Sequence, residues 1–255
     1  MSIGDHLVTC QEYVRTKPYL VQGSLPSRPA TAGLRLGNPP DGESSPTMIE
    51  EISSELFHWS AFHDGIGHPV HSSFALDSGT LIDPMEPPGG LDAVAELGTP
   101  ERIVLSNRHH YRHSALYVER FGCPVLCHKA GLAHFSEDRP VEGFVFDEQL
   151  ADGLRALELG SICAEETTLL LEADAGALSF GDGLTRDRDG ALAFMPDSLL
   201  GEDPGRVRAG LLKSLRRMLD EEFDTLLFAH SEPVAGTGRD LLSAFLAQEP
   251  AAQPG

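Results

Sequence analysis

Short apolar runs alternate with segments of helical periodicity from Met48 to the end of the chain. Apolar runs bounded by turn residues are typical of buried strands. The predicted strands cover residues 56–59, 73–76, 80–82, 102–106, 124–127, 143–146, 154–159, 168–171, 177–180 and 225–228. This many strands, with helices between them, predict one layered α/β domain that contains a mixed sheet or two sheets.

Three segments have apolar positions at helical spacing, and each carries a terminal signal. The predicted helices cover residues 205–222, 238–248 and about 111–121. Asp203 and Pro204 suit the N-cap and the first turn of the helix over 205–222. Thr237 and Asp240 have the spacing of a capping box at the start of the helix over 238–248. Gly122 suits the C-terminal cap of the remaining helix.

Residues 1–48 differ in composition from the rest of the chain. They contain six prolines, and after residue 21 they are rich in Gly, Pro and Ser with no sustained apolar period. Segments of this kind rarely bury enough apolar surface to fold alone. We therefore expect an N-terminal extension, most simply a flexible arm and alternatively an ordered cap, followed by one domain over residues 49–255.

The charge of the chain narrows its range of partners. The 255 residues include 19 basic and 39 acidic side chains, which gives a net charge of −20. A surface this acidic repels the phosphates of nucleic acids and anionic membranes. No apolar run approaches the ~18 residues that cross a bilayer, and the N-terminus lacks the apolar centre of a secretory signal. We expect a cytoplasmic protein that binds a small-molecule substrate or ligand, and neither nucleic acid nor membrane.

The four cysteines are Cys10, Cys123, Cys127 and Cys163. They lack the C-x-x-C spacing of a zinc knuckle. Cys123 and Cys127 lie in GCPVLCH, a segment with the pattern of a buried strand, where four residues span about 13 Å, too far for a disulfide bond. We therefore expect reduced, structural thiols.

Eleven histidines are present, and many of them fall in two clusters. His109, His110 and His113 follow a predicted strand and open a helix, which is where α/β proteins place ligands. Neutral imidazole is a common metal ligand, so this cluster indicates a metal site, although hydrogen-bonded surface histidines are the simpler interpretation. The earlier cluster consists of His58, His63, His68 and His71.

Two later strands end in a similar way. Asp182 lies between two glycines after the strand over 177–180, and His230 follows the strand over 225–228, before a glycine-rich turn and a helix. Alone, each would be read as a turn or core residue. Together with the histidines after residue 106, they put metal-ligand side chains at three strand ends, so we expect them to converge.

These segments together resemble the metallo-β-lactamase-fold hydrolases. The resemblance runs from about Leu56 to Leu246 and rests on the order and spacing of GTLIDP, IVLSNRHHYRHS, FGCPVLCH, GALSFGDGL and LLFAHSEPVAGTGRDLLSAF. It implies an αββα four-layer sandwich with a metal cleft along one edge of the two sheets. In active members the metal polarises a carbonyl or phosphoryl oxygen and lowers the pKa of bound water.

The first ligand loop departs from the family pattern, which is Thr-His-x-His-x-Asp-His. Aligning Ser106 with the threonine leaves His109 as the one histidine at a ligand position, whereas aligning His113 with the last histidine leaves His110 and His113. Neither alignment retains the Asp-His pair of the second metal, and Arg112 brings a fixed cation among the ligand positions. The resemblance then implies one divalent ion (zinc, iron or manganese) or none, with the ligands His110, His113, Asp182 and His230.

The sequence leaves open which further residues would bind the metal. The family's next histidine lies in a Pro-Gly-His turn, and the matching stretch here is LGSICAEET, where Cys163, Glu165 or Glu166 would have to substitute. Solvated glutamates are the simpler interpretation, and His109 is a further candidate. The early histidines fall in a predicted loop after the first strand. From there His63, Asp64, His68 and His71 would compensate for lost ligands only if the loop folded over the cleft.

Two functional hypotheses follow from the resemblance. The first is a hydrolase with an at most mononuclear site that acts on an ester, thioester or lactone-type small molecule. In it, Asp182 is catalytic because it binds the metal and orients water. The second is an inactive scaffold that binds an anionic ligand or a protein partner. There Arg108 and Arg112 would bind a carboxylate or phosphate at the old metal site.

Overall fold

Two β-sheets lie face to face in the computed structural model, which describes residues 49–249. The predicted extension over 1–48 lies outside the described residues, as does Cys10, so both remain predictions. Cys123, Cys127 and Cys163 are buried free thiols, as expected. Within residues 49–249, each helix is too short or too polar to cross a bilayer.

The first sheet has seven strands whose order in space follows the chain. They are β1 (Glu50–Ser53), β2 (Leu56–His63), β3 (His68–Ala75), β4 (Thr80–Ile82), β5 (Arg102–Val104), β6 (Val125–His128) and β7 (Glu142–Phe144). The second sheet has five strands in the order β14-β11-β10-β9-β8. These are β8 (Gln149–Ala151), β9 (Leu154–Glu158), β10 (Thr167–Leu171), β11 (Ala177–Phe180) and β14 (Thr225–Phe228). A separate two-stranded ribbon consists of β12 (Thr185–Arg186) and β13 (Leu192–Ala193).

Four α-helices complete the described part of the chain. They are α1 (Gly90–Leu97), α2 (Ser114–Phe121), α3 (Pro204–Met218) and α4 (Gly238–Gln248). Short 3₁₀ helices cover Arg108–Tyr111, Lys129–His134 and Asp197–Leu199.

Alternating apolar residues on the strands build three packed layers. On β10, Leu169 and Leu171 face the core between the two sheets, whereas Leu170 faces the outer core beneath α3 and α4. This alternation is the two-residue period of a strand buried on both faces. On the other side of the molecule, Trp59 of β2 packs with residues of α1 and α2. The order helix, sheet, sheet, helix confirms the predicted αββα sandwich.

The helix termini agree with the sequence signals in two cases out of three. The Asp203 side chain accepts a hydrogen bond from Arg206 N at 2.9 Å, and Gly122 ends α2 with φ 72°, a left-handed conformation that favours glycine. The prediction of a capping box at Thr237 is wrong, because no side chain forms a capping hydrogen bond at that helix terminus. There the backbone of Gly238 donates instead to Asp224 O at 2.6 Å.

His63, His68 and His71 lie on paired strands, so their predicted place in a loop is wrong. β2 and β3 pair without interruption from Leu56–Ala75 to His63–His68. The turn between them closes at Gly67, whose φ of 71° suits glycine. The polar residues concealed the strand period, because His58 and Ser60 occupy a buried face that carries few apolar side chains.

The carboxyl ends of several strands meet at one edge of the sandwich. β4 and β5 are parallel in the first sheet, and β11 and β14 are parallel in the second. Two backbone hydrogen bonds join the sheets there: Thr167 N donates to Ser106 O at 2.9 Å, and His71 N donates to Ala229 O at 2.9 Å. The segments that follow these strands therefore share one cleft.

Candidate metal centre

Three side chains converge in this cleft, and we refer to His110, Asp182 and His230 as the His110 group. His230 Nε2 lies 2.8 Å from Asp182 Oδ1 and 3.3 Å from His110 Nε2. His110 Nε2 lies 3.3 Å from Asp182 Oδ1. His110 is buried, whereas the side chains of Asp182 and His230 are 16% and 20% exposed, so solvent reaches the group from one side.

Each member of the His110 group follows the end of a strand. Asp182 comes directly after β11 in the turn Gly181-Asp182-Gly183. A Cβ at Gly181 would lie 2.5 Å from Ser106 Oγ and 2.8 Å from Glu166 Oε1, so only glycine allows the chain to approach the two. Gly181 is thus required for close packing, and it lets the Asp182 turn lie against Ser106 and Glu166.

Asp83, which follows β4, fixes the orientation of His110. Its Oδ2 lies 2.8 Å from His110 Nδ1 and accepts from Ser106 Oγ at 2.6 Å, while Oδ1 accepts from Ser106 N at 2.8 Å. When Nδ1 of His110 donates to this carboxylate, Nε2 presents its lone pair to the cleft. A carboxylate behind a metal-binding imidazole is the usual device that sets its tautomer and raises its basicity.

We expect an Asp83→Asn substitution to weaken metal binding at the His110 group by about 10–100-fold, the usual effect of an outer-shell partner. An asparagine cannot supply the negative charge that polarises His110. Zinc titration by calorimetry measures the effect, and Asp92→Asn, at an exposed position on α1, is the matched control. Equal zinc affinity in both variants would show that Asp83 does not act through His110.

Opposite charges in the cleft stabilise one another in the metal-free protein. Burial disfavours the charged form of His110, but Asp83 and Asp182 outweigh this and raise its pKa to about 9. Burial likewise opposes the charge on Asp182, but His110 and His230 hold its pKa well below the usual value. Burial lowers the pKa of His230, against the opposing effect of Asp182. The cleft thus keeps a carboxylate ionised beside two imidazoles.

Glu166 and Asn107 hold Asp182 from behind. Glu166 Oε1 accepts from the backbone N–H groups of Asp182 at 2.7 Å and Gly183 at 3.2 Å. Asn107 Nδ2 donates to Glu166 Oε2 and to Asp182 Oδ2, each at 3.0 Å. Burial, together with the nearby Asp182 carboxylate, raises the pKa of Glu166 to about 8. Glu166, a candidate ligand, therefore acts in this structure as the acceptor that positions the Asp182 turn.

Arg112 is a structural cation at the base of the cleft. Its guanidinium donates to three backbone carbonyls: His71 O at 2.6 Å, Asp83 O at 2.7 Å and Ala229 O at 3.3 Å. These carbonyls belong to β3 and to the segments after β4 and β14. Arg112 has φ 43°, a strained conformation for a residue other than glycine, and Asp83 has φ 47°. The guanidinium joins the two sheets because its N–H groups donate to backbone carbonyls of both.

The structure places the remaining candidate residues around the His110 group rather than in it. His113 Nδ1 accepts from Glu86 N at 3.1 Å, so His113 ties the start of α2 to the segment after β4. Arg108 forms an ion pair with buried Glu165. Cys163 Sγ donates to Glu166 Oε2 at 3.6 Å. His109 is exposed, with its backbone N–H bonded to Asn107 Oδ1 at 2.9 Å.

The donor set of the His110 group fits one divalent metal ion. Two imidazole nitrogens and a carboxylate oxygen, all within 3.3 Å of one another, are close to the separation of about 3.3–3.5 Å between ligands of a tetrahedral ion with bonds of about 2.0–2.2 Å. Zinc, iron and manganese accept such donors. Solvent access at Asp182 and His230 leaves room for a water or substrate as a further ligand.

A second cluster, which we call the His58 group, consists of His58, His71 and Glu232. His58 Nε2 lies 3.0 Å from His71 Nδ1, and His71 Nδ1 lies 4.0 Å from Glu232 Oε2. Both imidazoles are buried, whereas the Glu232 side chain is 59% exposed. Burial lowers the pKa of His58 to about 4, and burial followed by His58, His230 and Arg112 lowers the pKa of His71 to about 3. Both rings are therefore neutral near pH 7.

The buried neutral histidines predict a pH-dependent stability. The unfolded chain takes up protons at His58 and His71 below about pH 6.5, whereas the folded protein does so only near pH 4 and below. The contribution of these two histidines to the free energy of unfolding should therefore fall as the pH decreases from about 6.5 to about 4, by an amount on the order of 3 kcal/mol. Glu166, whose pKa is raised, contributes in the opposite direction. Urea unfolding in the presence of a chelator, followed by the fluorescence of the single tryptophan, Trp59, measures this fall. A His58→Phe/His71→Phe variant should show a shallower slope, and an unchanged slope would contradict the assignment.

Sequence reasoning missed two residues that shape the site, Asp83 and Asn107. Each lies at or just beyond the end of a predicted strand. Asp83 belongs to the segment GTLIDP, and Asn107 belongs to IVLSNRHHYRHS. Their polar character at a strand end was the available signal. Their contacts with His110 and Asp182 depend on the packing of the two sheets, which no local pattern contains.

Solved structures similar to this one include metallo-β-lactamases and a metallo-β-lactamase family protein. A metallo-β-lactamase from Erythrobacter litoralis is similar with a TM-score of 0.58 at 12% identity, over 82% of this chain and 99% of that one. A metallo-β-lactamase family protein from Thermus thermophilus has a TM-score of 0.52 at 18% identity, over 77% and 80%. A B3 metallo-β-lactamase with an active-site glutamic acid has a TM-score of 0.51 at 16% identity, over 80% and 90%.

The similarity is one of structure alone. No protein-family model matches the sequence, and no curated protein sequence matches it significantly. The similar structures nevertheless cover about four fifths of this chain. The chain therefore has the metallo-β-lactamase fold.

Proposed function

We propose that the protein is a metal-dependent hydrolase with one metal ion in the cleft, acting on an ester, thioester or lactone-type small molecule. The observation that carries the proposal is the convergence of His110 Nε2, Asp182 Oδ1 and His230 Nε2 within 3.3 Å of one another. Three donors of this kind at an accessible cleft match catalytic metal sites, which keep a position open for water. The fold of the chain, shared with metallo-β-lactamases, supports the same assignment.

One ion, rather than two, agrees with the two residues that follow His110 in the chain. Tyr111 belongs to the core beneath α1 and α2, and Arg112 donates to backbone carbonyls. Neither side chain offers a metal-binding lone pair to the cleft, since a guanidinium is a donor without an acceptor. The two residues that follow His110, a core aromatic residue and a structural cation, therefore supply no ligand for a second ion beside it.

Each side chain of the cleft would have a distinct role in the proposed hydrolysis. A bound zinc, iron or manganese ion would lower the pKa of water and polarise a carbonyl oxygen. His110 and His230 present nitrogens, with Asp83 fixing the ring of His110. Asp182 would present Oδ1 to the ion, while its Oδ2 accepts from Asn107 Nδ2, which fixes the carboxylate. The same carboxylate would orient a water molecule at the open side of the cleft. The acidic chain, with a net charge of −20, favours neutral or cationic substrates.

The alternative, an inactive scaffold that binds an anion, has weaker support. It requires Arg108 and Arg112 to present their guanidinium groups to the ligand. Arg108 is ion-paired with Glu165, and Arg112 is hydrogen-bonded to His71 O, Asp83 O and Ala229 O. An incoming anion would have to displace these partners, so the hydrolase is the better proposal.

Hydrolysis by the metal-loaded full-length protein tests the proposal. Zinc, manganese or iron is added to chelator-treated protein, and cleavage of a p-nitrophenyl ester, an acyl thioester and a simple lactone is followed. We expect metal-dependent turnover of at least one class, reduced about a hundredfold or more in a folded His230→Ala variant. His134→Ala, on a 3₁₀ helix that belongs to neither histidine group, is the control. Equal rates for wild type and His230→Ala on all three substrates would contradict the proposal.

A further inference from the structure

The His58 group has the chemistry of a metal site in its own right, separate from the His110 group. We propose that His58 Nε2, His71 Nδ1 and a Glu232 carboxylate oxygen bind a second divalent cation of the zinc class. One ligand atom of each of the three residues lies within 4.8 Å of the other two. This inference does not depend on the hydrolase function, because it concerns a different set of side chains.

The β2–β3 hairpin creates the site by register. His71 is the cross-strand partner of Ser60, and Ser60 lies two positions after His58, so both imidazoles occupy the same face of the sheet. Their rings are nearly parallel, with an interplanar angle of 19° and centroids 5.1 Å apart. Strand pairing therefore holds two nitrogens at a fixed spacing before any ion arrives, which lowers the entropic penalty of binding.

The separations are those of ligands that share one ion. A zinc–nitrogen bond of about 2.0–2.1 Å places two ligands of a tetrahedral ion about 3.3 Å apart, and the two histidine nitrogens are 3.0 Å apart. The distance of 4.0 Å from His71 Nδ1 to Glu232 Oε2 closes by a small rotation of Glu232, whose side chain is 59% exposed. Two histidines and one glutamate form a donor set known from zinc proteins.

A second carboxylate adds negative potential at the same place. Glu50 on β1 is the cross-strand partner of His58, so their Cβ atoms are about 5 Å apart on one face. Two carboxylates that repel each other beside neutral imidazoles are stabilised by a cation. Glu50 or a water molecule then supplies the fourth ligand.

Two nearby arginine side chains would repel a metal ion bound at the His58 group, but the hydrogen bonds of both limit this repulsion. Arg112 lies close to His71, but its guanidinium is committed to the backbone carbonyls of His71, Asp83 and Ala229. Arg186 lies near Glu232 through a hydrogen bond to Glu232 O at 3.2 Å, with its side chain also bonded to Gly190 O. Glu232 and Glu50 together offset these charges at the solvent side, where an ion would enter.

Zinc stoichiometry in four variants of the full-length chain tests the proposal. Each protein is treated with a chelator, titrated with zinc alone by calorimetry and titrated with cobalt for its visible absorption spectrum. We expect Glu232→Gln to lose one equivalent of zinc, or to bind it at least tenfold more weakly, relative to wild type. His58→Ala should do the same. Glu51→Gln, one residue from Glu50 but on the opposite face of β1, and His68→Ala, at an exposed position of the hairpin, should match wild type.

The outcomes separate this site from the His110 group. In an Asp182→Asn background, the remaining zinc should disappear or weaken on adding Glu232→Gln. Because Glu232 is exposed, its substitution leaves the core intact, so loss of folding does not obscure the result. If neither Glu232→Gln nor His58→Ala changes the number or affinity of bound zinc ions, His58 and His71 are only a hydrogen-bonded pair and the proposal is overturned. If Glu232→Gln alone removes zinc while Asp182→Asn has no effect, this site stands and the proposed catalytic site fails.

Discussion

The Asp182→Asn variant should bind one zinc equivalent less than the wild-type protein and lose metal-dependent hydrolysis. Asp182 Oδ1 lies within 3.3 Å of both imidazoles of the His110 group, so it supplies the only carboxylate oxygen of that donor set among the described residues. Replacing it with an amide removes the negative charge and leaves a weak ligand for a hard or borderline cation. The affinity should fall by about a hundredfold or more, beyond the usual effect of an outer-shell partner.

The asparagine preserves the shape of Asp182 and therefore separates charge from packing. Calorimetric zinc titration measures the affinity, and circular dichroism checks that the variant is folded. Asp189→Asn, at an exposed position on the same stretch of chain, should bind zinc like the wild type. Undiminished zinc binding in Asp182→Asn would mean that the metal lies elsewhere.

The Arg112→Met variant should be about 3 kcal/mol less stable than wild type, or more. Methionine has a similar length but cannot donate to His71 O, Asp83 O and Ala229 O, which would lose their shared partner. Buried hydrogen bonds to a charged group contribute about 1.5–3 kcal/mol each, and an unpaired buried acceptor is costly. Since the backbone of Arg112 is strained at φ 43°, the variant keeps the strain and loses the contacts that offset it.

Urea unfolding followed by Trp59 fluorescence measures this loss. Arg120→Met is the matched control, because Arg120 is 54% exposed and pairs with an exposed carboxylate, that of Asp92. Exposed ion pairs contribute about 0–1 kcal/mol. A loss below about 1 kcal/mol in Arg112→Met would show that the guanidinium does not join the sheets.

Local pattern was sufficient for most of the fold. The strands at 80–82, 177–180 and 225–228 match β4, β11 and β14, because each is a short apolar run between clear turn signals. The helix over 238–248 coincides with α4. Helix α1, by contrast, was not predicted, since its N-terminus lies in a Pro- and Gly-rich stretch that favours a turn. Strands β1, β8, β12 and β13 were also missed, because they are two to four residues long and partly exposed.

The sequence was sufficient to predict which residues at strand ends meet in the site. His110, Asp182 and His230 each follow a predicted strand, and parallel strands bring their carboxyl ends to one edge. The position of His113 was not readable, because it depends on the short 3₁₀ helix over Arg108–Tyr111 and the left-handed Arg112 that follows it. That irregular segment turns His110 into the cleft and His113 toward Glu86.

The roles of Glu166 and Arg112 depend on contacts between distant segments. Glu166 accepts from the backbone of Asp182 and Gly183, and Arg112 donates to carbonyls from three segments. Both look like candidate ligand or anion-binding residues in the sequence because they carry charge at ligand positions. In the fold their polar side-chain atoms instead satisfy buried backbone groups, which must be hydrogen-bonded wherever water is excluded.

The most direct measurement is anomalous diffraction from a crystal of the zinc-loaded full-length protein. We expect an anomalous peak in the cleft, with bonds of about 2.0–2.2 Å to His110 Nε2, Asp182 Oδ1 and His230 Nε2. Asp83 should still be bonded to Nδ1 of His110. A zinc-loaded crystal without a peak between these three side chains, in which they keep their hydrogen bonds to one another, would contradict the proposed metal centre.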